Sequence, residues 1–90
     1  MNPIKVRKRP VVVEAWQAIG IREMERIVKW INSNGGDAKY RPPVNFGPAI
    51  DIQTLEGTMT ADIFDWVIKG IAGEFYPVKP EIFQKTYETL

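Results

Sequence analysis

Residues 65–78 read DWVIKGIAGEFYPV, and this stretch decides how the sheet is expected to form. Two short runs rich in β-branched and aromatic residues flank the loop Gly70-Ile71-Ala72-Gly73. Such runs around a short glycine-containing loop predict an antiparallel β-hairpin. With four residues in the loop, Lys69 lies opposite Glu74, and this pairing sets which side chains share a face.

This register separates the aromatic residues of the hairpin. It places Trp66 and Phe75 on one face as diagonal partners in the core, and Tyr76 on the more polar face with Lys69 and Glu74. An aromatic platform made by Trp66 and Tyr76 together, suited to a nucleobase or another planar group, contradicts the register. We therefore predict Tyr76, Lys69 and Glu74 as partner-binding residues.

The rest of the chain alternates between strand and helix patterns. Ile21, Met24, Ile27, Val28 and Ile31 form one apolar stripe, which predicts a helix over residues 21–32 that ends at Asn34-Gly35-Gly36. A single helical turn is predicted at 81–85. β-Branched or alternating runs predict an interior strand at 11–18 and further strands at 38–41, 49–55, 58–61 and 86–88. The expected fold is α+β: a curved antiparallel sheet of four to six strands with one packed α-helix and a short C-terminal helical turn.

The loop that ends at Pro48 is the longest irregular segment expected. Residues 41–48 contain three prolines and one glycine, which disfavours regular structure, and long loops are often functional. Phe46 either pins this loop to the core or lines a pocket. We favour the pin, and we also count Phe46 among the partner-binding residues.

Composition narrows the chemistry that the chain can perform. Its 90 residues fit one domain, 1–90, and the formal net charge is +1. Cysteine and histidine are absent, which excludes disulfides, thiolate or imidazole metal sites and a Ser-His-Asp triad. No acidic spacing matches a metal motif, and Asp65 is expected to cap a turn. We predict no catalytic residue, no metal, no cofactor and no enzymatic activity.

Positive charge is concentrated in residues 1–10, which we call the basic arm. It contains Lys5, Arg7, Lys8 and Arg9 and no acidic residue, whereas residues 51–90 contain three basic and seven acidic residues. One interpretation is an edge segment whose charges prevent pairing with other molecules. The other is a weak phosphate-binding arm, with these four side chains as the nucleic-acid candidates.

Two long stretches carry a family resemblance. RKRPVVVEAWQ (7–17) and TLEGTMTADIFDWVIKGIAGEFYPVKPEIFQKTYE (54–88) resemble a family of small proteins of unknown function encoded by phages and prophages. That family typically opens with K-K-P-V-V-V-E-A and ends with G-D-W-I-I-K-G, G-E-F-Y-P and T-Y-E. It has Pro-Gly before the Asp-Trp, where this chain has Ile63-Phe64. We expect a different turn there, such as a helical turn. The resemblance implies a phage origin and a compact α+β fold. It does not point to any particular activity.

The leading functional hypothesis is a phage accessory protein that acts as a non-enzymatic binding module for a host protein or a small ligand. The first alternative is weak nucleic-acid binding through the basic arm, and the second is sequestration of a signalling nucleotide between protomers. Self-association into a homo-oligomer stays open. No stretch approaches 18 apolar residues, so we expect no membrane partner and a cytoplasmic protein of the host cell.

Overall fold

The computed structural model describes residues 2–90 and shows an α+β fold, as the sequence predicts. All strand pairs are antiparallel. The strands form two three-stranded sheets, ordered β1-β5-β6 and β2-β3-β4, where a single curved sheet was expected. In chain order the elements are β1 (Glu14–Gln17), α1 (Ile21–Ser33), β2 (Ala38–Arg41), β3 (Ala49–Thr54), β4 (Gly57–Asp62), β5 (Trp66–Lys69), β6 (Phe75–Val78) and α2 (Pro80–Thr86).

The apolar stripe of α1 forms one side of the hydrophobic core. Met24, Ile27 and Ile31 are fully buried, and they belong to one cluster with residues of both sheets. The helix ends where it was predicted to end. Gly35 adopts a φ of 85°, and the Ile31 carbonyl at the helix end accepts from the N–H groups of Asn34 at 3.1 Å and Gly36 at 2.9 Å.

The first strand is shorter than its sequence suggests, and it is not interior. β1 pairs only with β5 and lies at the edge of its sheet. Glu14 lies opposite Lys69, the last residue of β5, so residues 11–13 extend past the end of the neighbouring strand. High β-propensity in Val11–Val13 therefore does not produce a strand, because no strand pairs with these residues.

Two predictions near the loops also change. The β3–β4 hairpin pairs Thr54 with Gly57, so its loop is Leu55-Glu56 and lies one residue earlier than expected. The predicted helical turn at 81–85 is confirmed and is longer, as α2, with proline at its first position. The predicted strand at 86–88 does not form, because the helix continues to Thr86 and the N–H of Tyr87 donates to the Phe83 carbonyl.

The turn between the two sheets holds a strained residue. The N–H of Asp65 donates to the Asp62 carbonyl at 3.0 Å, and Phe64 has a φ of 73°. This left-handed conformation is ordinarily taken by glycine. The helical turn expected from Ile63-Phe64 is therefore wrong. Phenylalanine instead occupies a turn position that the glycine of a Pro-Gly turn takes without strain.

Replacing Phe64 by glycine tests this strain. We expect Phe64→Gly to raise the free energy of unfolding by up to about 1 kcal/mol, because glycine relieves the left-handed penalty and the lost ring is more than half exposed. Chemical denaturation measures the change. Ile63→Gly is the matched control and should lower stability, since its φ is not positive. An equal loss in both variants would show that Phe64 is unstrained.

Candidate functional site

The β5–β6 hairpin has a different register from the predicted one. Lys69 lies opposite Phe75, so the loop contains five residues, 70–74, and not four. The N–H of Gly70 donates to the Glu74 carbonyl at 2.7 Å, and the N–H of Gly73 donates to the Gly70 carbonyl at 3.0 Å. The Glu74 carboxyl folds over Gly70, where a Cβ atom would overlap it. These contacts close the loop one residue later than sequence alone suggests.

The shift by one residue exchanges the faces of β5 relative to β6. Val67 and Phe75 now point into the core, and Trp66 and Tyr76 share the outer face. The core position of Phe75 is confirmed, since it is only 4% exposed and packs edge-on against Trp30 with ring centroids 5.1 Å apart. The predicted core pairing of Trp66 with Phe75 is wrong.

Three aromatic rings stack along the outer face. The centroids of Trp66 and Phe83 are 3.9 Å apart with an angle of 4° between the planes, and those of Phe83 and Tyr87 are 5.1 Å apart at 21°. The hydroxyl oxygens of Tyr76 and Tyr87 are 3.2 Å apart and share a hydrogen bond. Because α2 has no fully buried residue, this stack is a main part of its attachment to the sheet.

A second contact fixes the start of α2. Asp65 is 3% exposed, and its Oδ2 atom accepts from the Asp62 N–H at 2.8 Å and from Lys79 Nζ at 2.9 Å. Lys79 also bonds Asp62 at 3.1 Å, and these two carboxylates raise the pKa of Lys79. The predicted capping role of Asp65 is confirmed. The same carboxylate ties the residue before α2 to the turn between the sheets.

The outer face forms the floor of an open groove of about 780 Å³, which we call the aromatic groove. Besides this floor, its lining comes from the chain leading into β1, from α2 with the residues after it, and from the loop between β5 and β6. It is lined by Lys8, Arg9, Pro10, Val11, Val12, Val13, Ala15, Trp66, Gly70, Ile71, Glu74, Tyr76, Phe83, Thr86, Tyr87, Glu88, Thr89 and Leu90.

The predicted site residues do not all meet in this groove. Tyr76 and Glu74 line it. Lys69 lies on the opposite face, where its Nζ donates to Asn34 Oδ1 at 3.2 Å, so the expected Lys69–Glu74 pair is absent from the described residues. Phe46 is 81% exposed, and the prediction that it pins its loop is wrong. It lines a separate hollow of about 190 Å³ formed by residues 41–47.

The basic arm contributes two of its four cations to the groove. Lys8 and Arg9 line it, whereas Lys5 and Arg7 are exposed outside its lining. Sequence reasoning missed Phe83 and Tyr87 as groove residues. They are four positions apart, the spacing at which two side chains share one face of a helix and its continuation. Extending the predicted turn to include Tyr87 would have revealed the pair.

No protein-family model, curated protein or solved structure matches this chain. Neither helix within residues 2–90 is long and apolar enough to cross a membrane. In the same part of the chain, no group of three or more carboxylate side chains converges as metal ligands. The aromatic groove has a larger volume and more lining residues than the hollow at Phe46.

The proton of Tyr76 provides a readout of this site. Burial of the ring, followed by the hydrogen bond to Tyr87, raises the pKa of Tyr76 to about 12, from an ordinary value of 10.0. Between these pH values the folded chain keeps a proton that the unfolded chain releases. The free energy of unfolding therefore falls as pH rises through this window.

We expect Tyr76→Phe to make this fall shallower, because the phenylalanine variant has no proton to release at that position. Denaturation at a series of pH values between 9 and 12 measures the slope. Tyr40→Phe, which leaves the Tyr76–Tyr87 pair intact, is the control and should keep the original slope. Identical slopes for the Tyr76 variant and the unmutated chain would contradict the placement of Tyr76.

Proposed function

We propose that this chain is a small phage accessory protein that acts as a non-enzymatic binding module, and that the aromatic groove binds its partner. The partner is a host protein or a small ligand. The observation that carries the proposal is the groove itself, in which aromatic rings, two tyrosine hydroxyls and exposed aliphatic side chains line one concave surface. Concave, largely apolar surfaces with a few polar groups are typical of binding sites.

The size and chemistry of the groove suit both kinds of partner. Its volume of about 780 Å³ lies in the range of small-molecule sites, roughly 300–1,000 Å³. Tyr76 and Tyr87 each combine an apolar ring with a hydroxyl, the amphipathic character that is frequent at protein interfaces. The resemblance of residues 7–17 and 54–88 to phage proteins supports a phage origin, with the cytoplasm of the host as the expected location.

The test is capture from a host lysate on the immobilised full chain, with mass spectrometry of both proteins and small molecules. Val12→Glu and Ile71→Glu place a charge at exposed groove positions, so they should spare the fold and reduce capture by about tenfold or more. Leu55→Glu is the control, because Leu55 is fully exposed at the other hairpin and lies outside the groove.

Two outcomes would contradict this function. One is the absence of any partner that depends on the groove. The other is equal loss of capture in Ile71→Glu and Leu55→Glu, which would point to general adhesion of exposed apolar side chains. Circular dichroism of each variant checks that the fold is retained.

Weak nucleic-acid binding through the basic arm is the first alternative. Lys5, Arg7, Lys8 and Arg9 are exposed, and none takes part in an ion pair found within residues 2–90. All four cations are thus available to phosphates. Duplex DNA binding should then weaken with salt, with a logarithmic slope no steeper than about −4. A gel shift that shows no binding at low salt would eliminate this alternative.

Sequestration of a signalling nucleotide between protomers is the second alternative, and it specifies the small ligand. Lys8 and Arg9 line the groove near aromatic rings, which places candidate phosphate contacts close to candidate base contacts. A nucleotide released when the purified chain is denatured would support it. Release of no ultraviolet-absorbing small molecule would count against it.

A further inference from the structure

The chain exposes more surface than a globular monomer of its mass. Its accessible surface is 7081 Å². A compact protein of 10.3 kDa exposes about 5,400 Å², so the excess is about 1,700 Å². A stable protein interface buries about 800 Å² on each partner. The excess is large enough to form such an interface.

Part of this excess lies in the arm and around the groove. The aliphatic side chains of Ile4, Val6 and Val12 are each more than three-quarters exposed, and Ile71 and Leu90 are similarly open. None of the turn and loop backbone hydrogen bonds formed within residues 2–90 involves residues 2–13. Fully extended, that segment spans about 40 Å, which is enough to reach across a second molecule.

The charges of this surface are complementary to each other. Lys8 and Arg9 line one wall of the groove, and Glu74 and Glu88 line its other parts. In the described part of the chain, these cations and carboxylates do not form ion pairs with one another. A surface that carries unpaired positive charges and unpaired negative charges can pair with a copy of itself that is rotated by 180°.

We propose that the aromatic groove face is a two-fold interface between two copies of this chain. The basic arm of each copy lies against Glu74 and Glu88 of the other, and the exposed aliphatic side chains meet at the centre. A rotated copy satisfies both charge sets at once, whereas a uniformly acidic partner would pair with the arm and repel the carboxylates. The interface uses the same face as the proposed function: a small ligand would lie between the two copies, whereas a host protein would replace the second copy.

A charge-exchange experiment tests the interface. Sedimentation equilibrium of the full chain at about 100 μM and low salt should show a dimer, a concentration at which a Kd of about 10 μM gives a mostly assembled protein. In the Lys8→Glu/Arg9→Glu variant, positions 8 and 9 and positions 74 and 88 are all acidic. In the Glu74→Lys/Glu88→Lys variant, the same four positions are all basic. Each should dimerise at least about tenfold more weakly because like charges then face each other.

Mixing the two variants should restore assembly. In the mixed dimer each acidic side meets a basic side, so its Kd should return to within about threefold of the unmutated value. Glu25→Lys/Lys29→Glu, at exposed positions of α1 outside the groove, is the control and should leave the Kd unchanged.

A monomer at the highest concentration would overturn the interface, as would two variants that dimerise normally or fail to assemble when mixed. Dimerisation is measured on the purified chain alone. Its failure is therefore distinguishable from a failure to capture a partner in the lysate.

Discussion

The register of the β5–β6 hairpin is the constraint on which the other features depend. The five-residue loop closes with Gly70 donating to the Glu74 carbonyl, and the Glu74 carboxyl lies over Gly70, where an added Cβ atom would have to displace it. Closing the loop one residue earlier would turn either Trp66 or Phe75 to the opposite face. The observed register instead gives Phe75 to the core and leaves Trp66 for α2 to stack on.

The groove follows from how α2 is held. One end is tied through Lys79 to the buried carboxylate of Asp65, and its rings stack through Phe83 on Trp66. Neither contact involves buried aliphatic side chains, and α2 contributes no buried residue to the hydrophobic core. The helix therefore lines the groove and is not part of the interior. The aromatic rings stack on one another and the hydroxyls of Tyr76 and Tyr87 share a hydrogen bond. One side of this cluster still faces the open groove.

Much of the fold could be predicted from local patterns. Met24, Ile27 and Ile31 recur with the period of a helix, and the glycines after them favour the left-handed backbone that ends a helix. For these reasons α1 was predicted to within one residue. The strand at 38–41 and the capping role of Asp65 were also predictable. These features depend on nearby residues, whose geometry the sequence encodes directly.

The rest depends on contacts that are distant in sequence. The length of the 70–74 loop depends on the burial of Phe75 against Trp30, and strand propensity in Val11–Val13 has no effect without an opposing strand. Because the predicted register was wrong by one residue, Trp66 was assigned to the core face. Its contact with Phe83 on the outer face was therefore not predicted. Of the predicted partner-binding residues, the structure places Tyr76 and Glu74 at the groove, and Lys69 and Phe46 elsewhere.

The hairpin register can be measured directly by proton NMR on the full chain. Nuclear Overhauser effects between the ring protons of Trp66 and Phe83 are expected, because their centroids are 3.9 Å apart, together with effects between Phe75 and Trp30. Effects that join Trp66 to Phe75, with none to Phe83, would show the four-residue loop. That result would contradict the separation of core and groove on which this account depends.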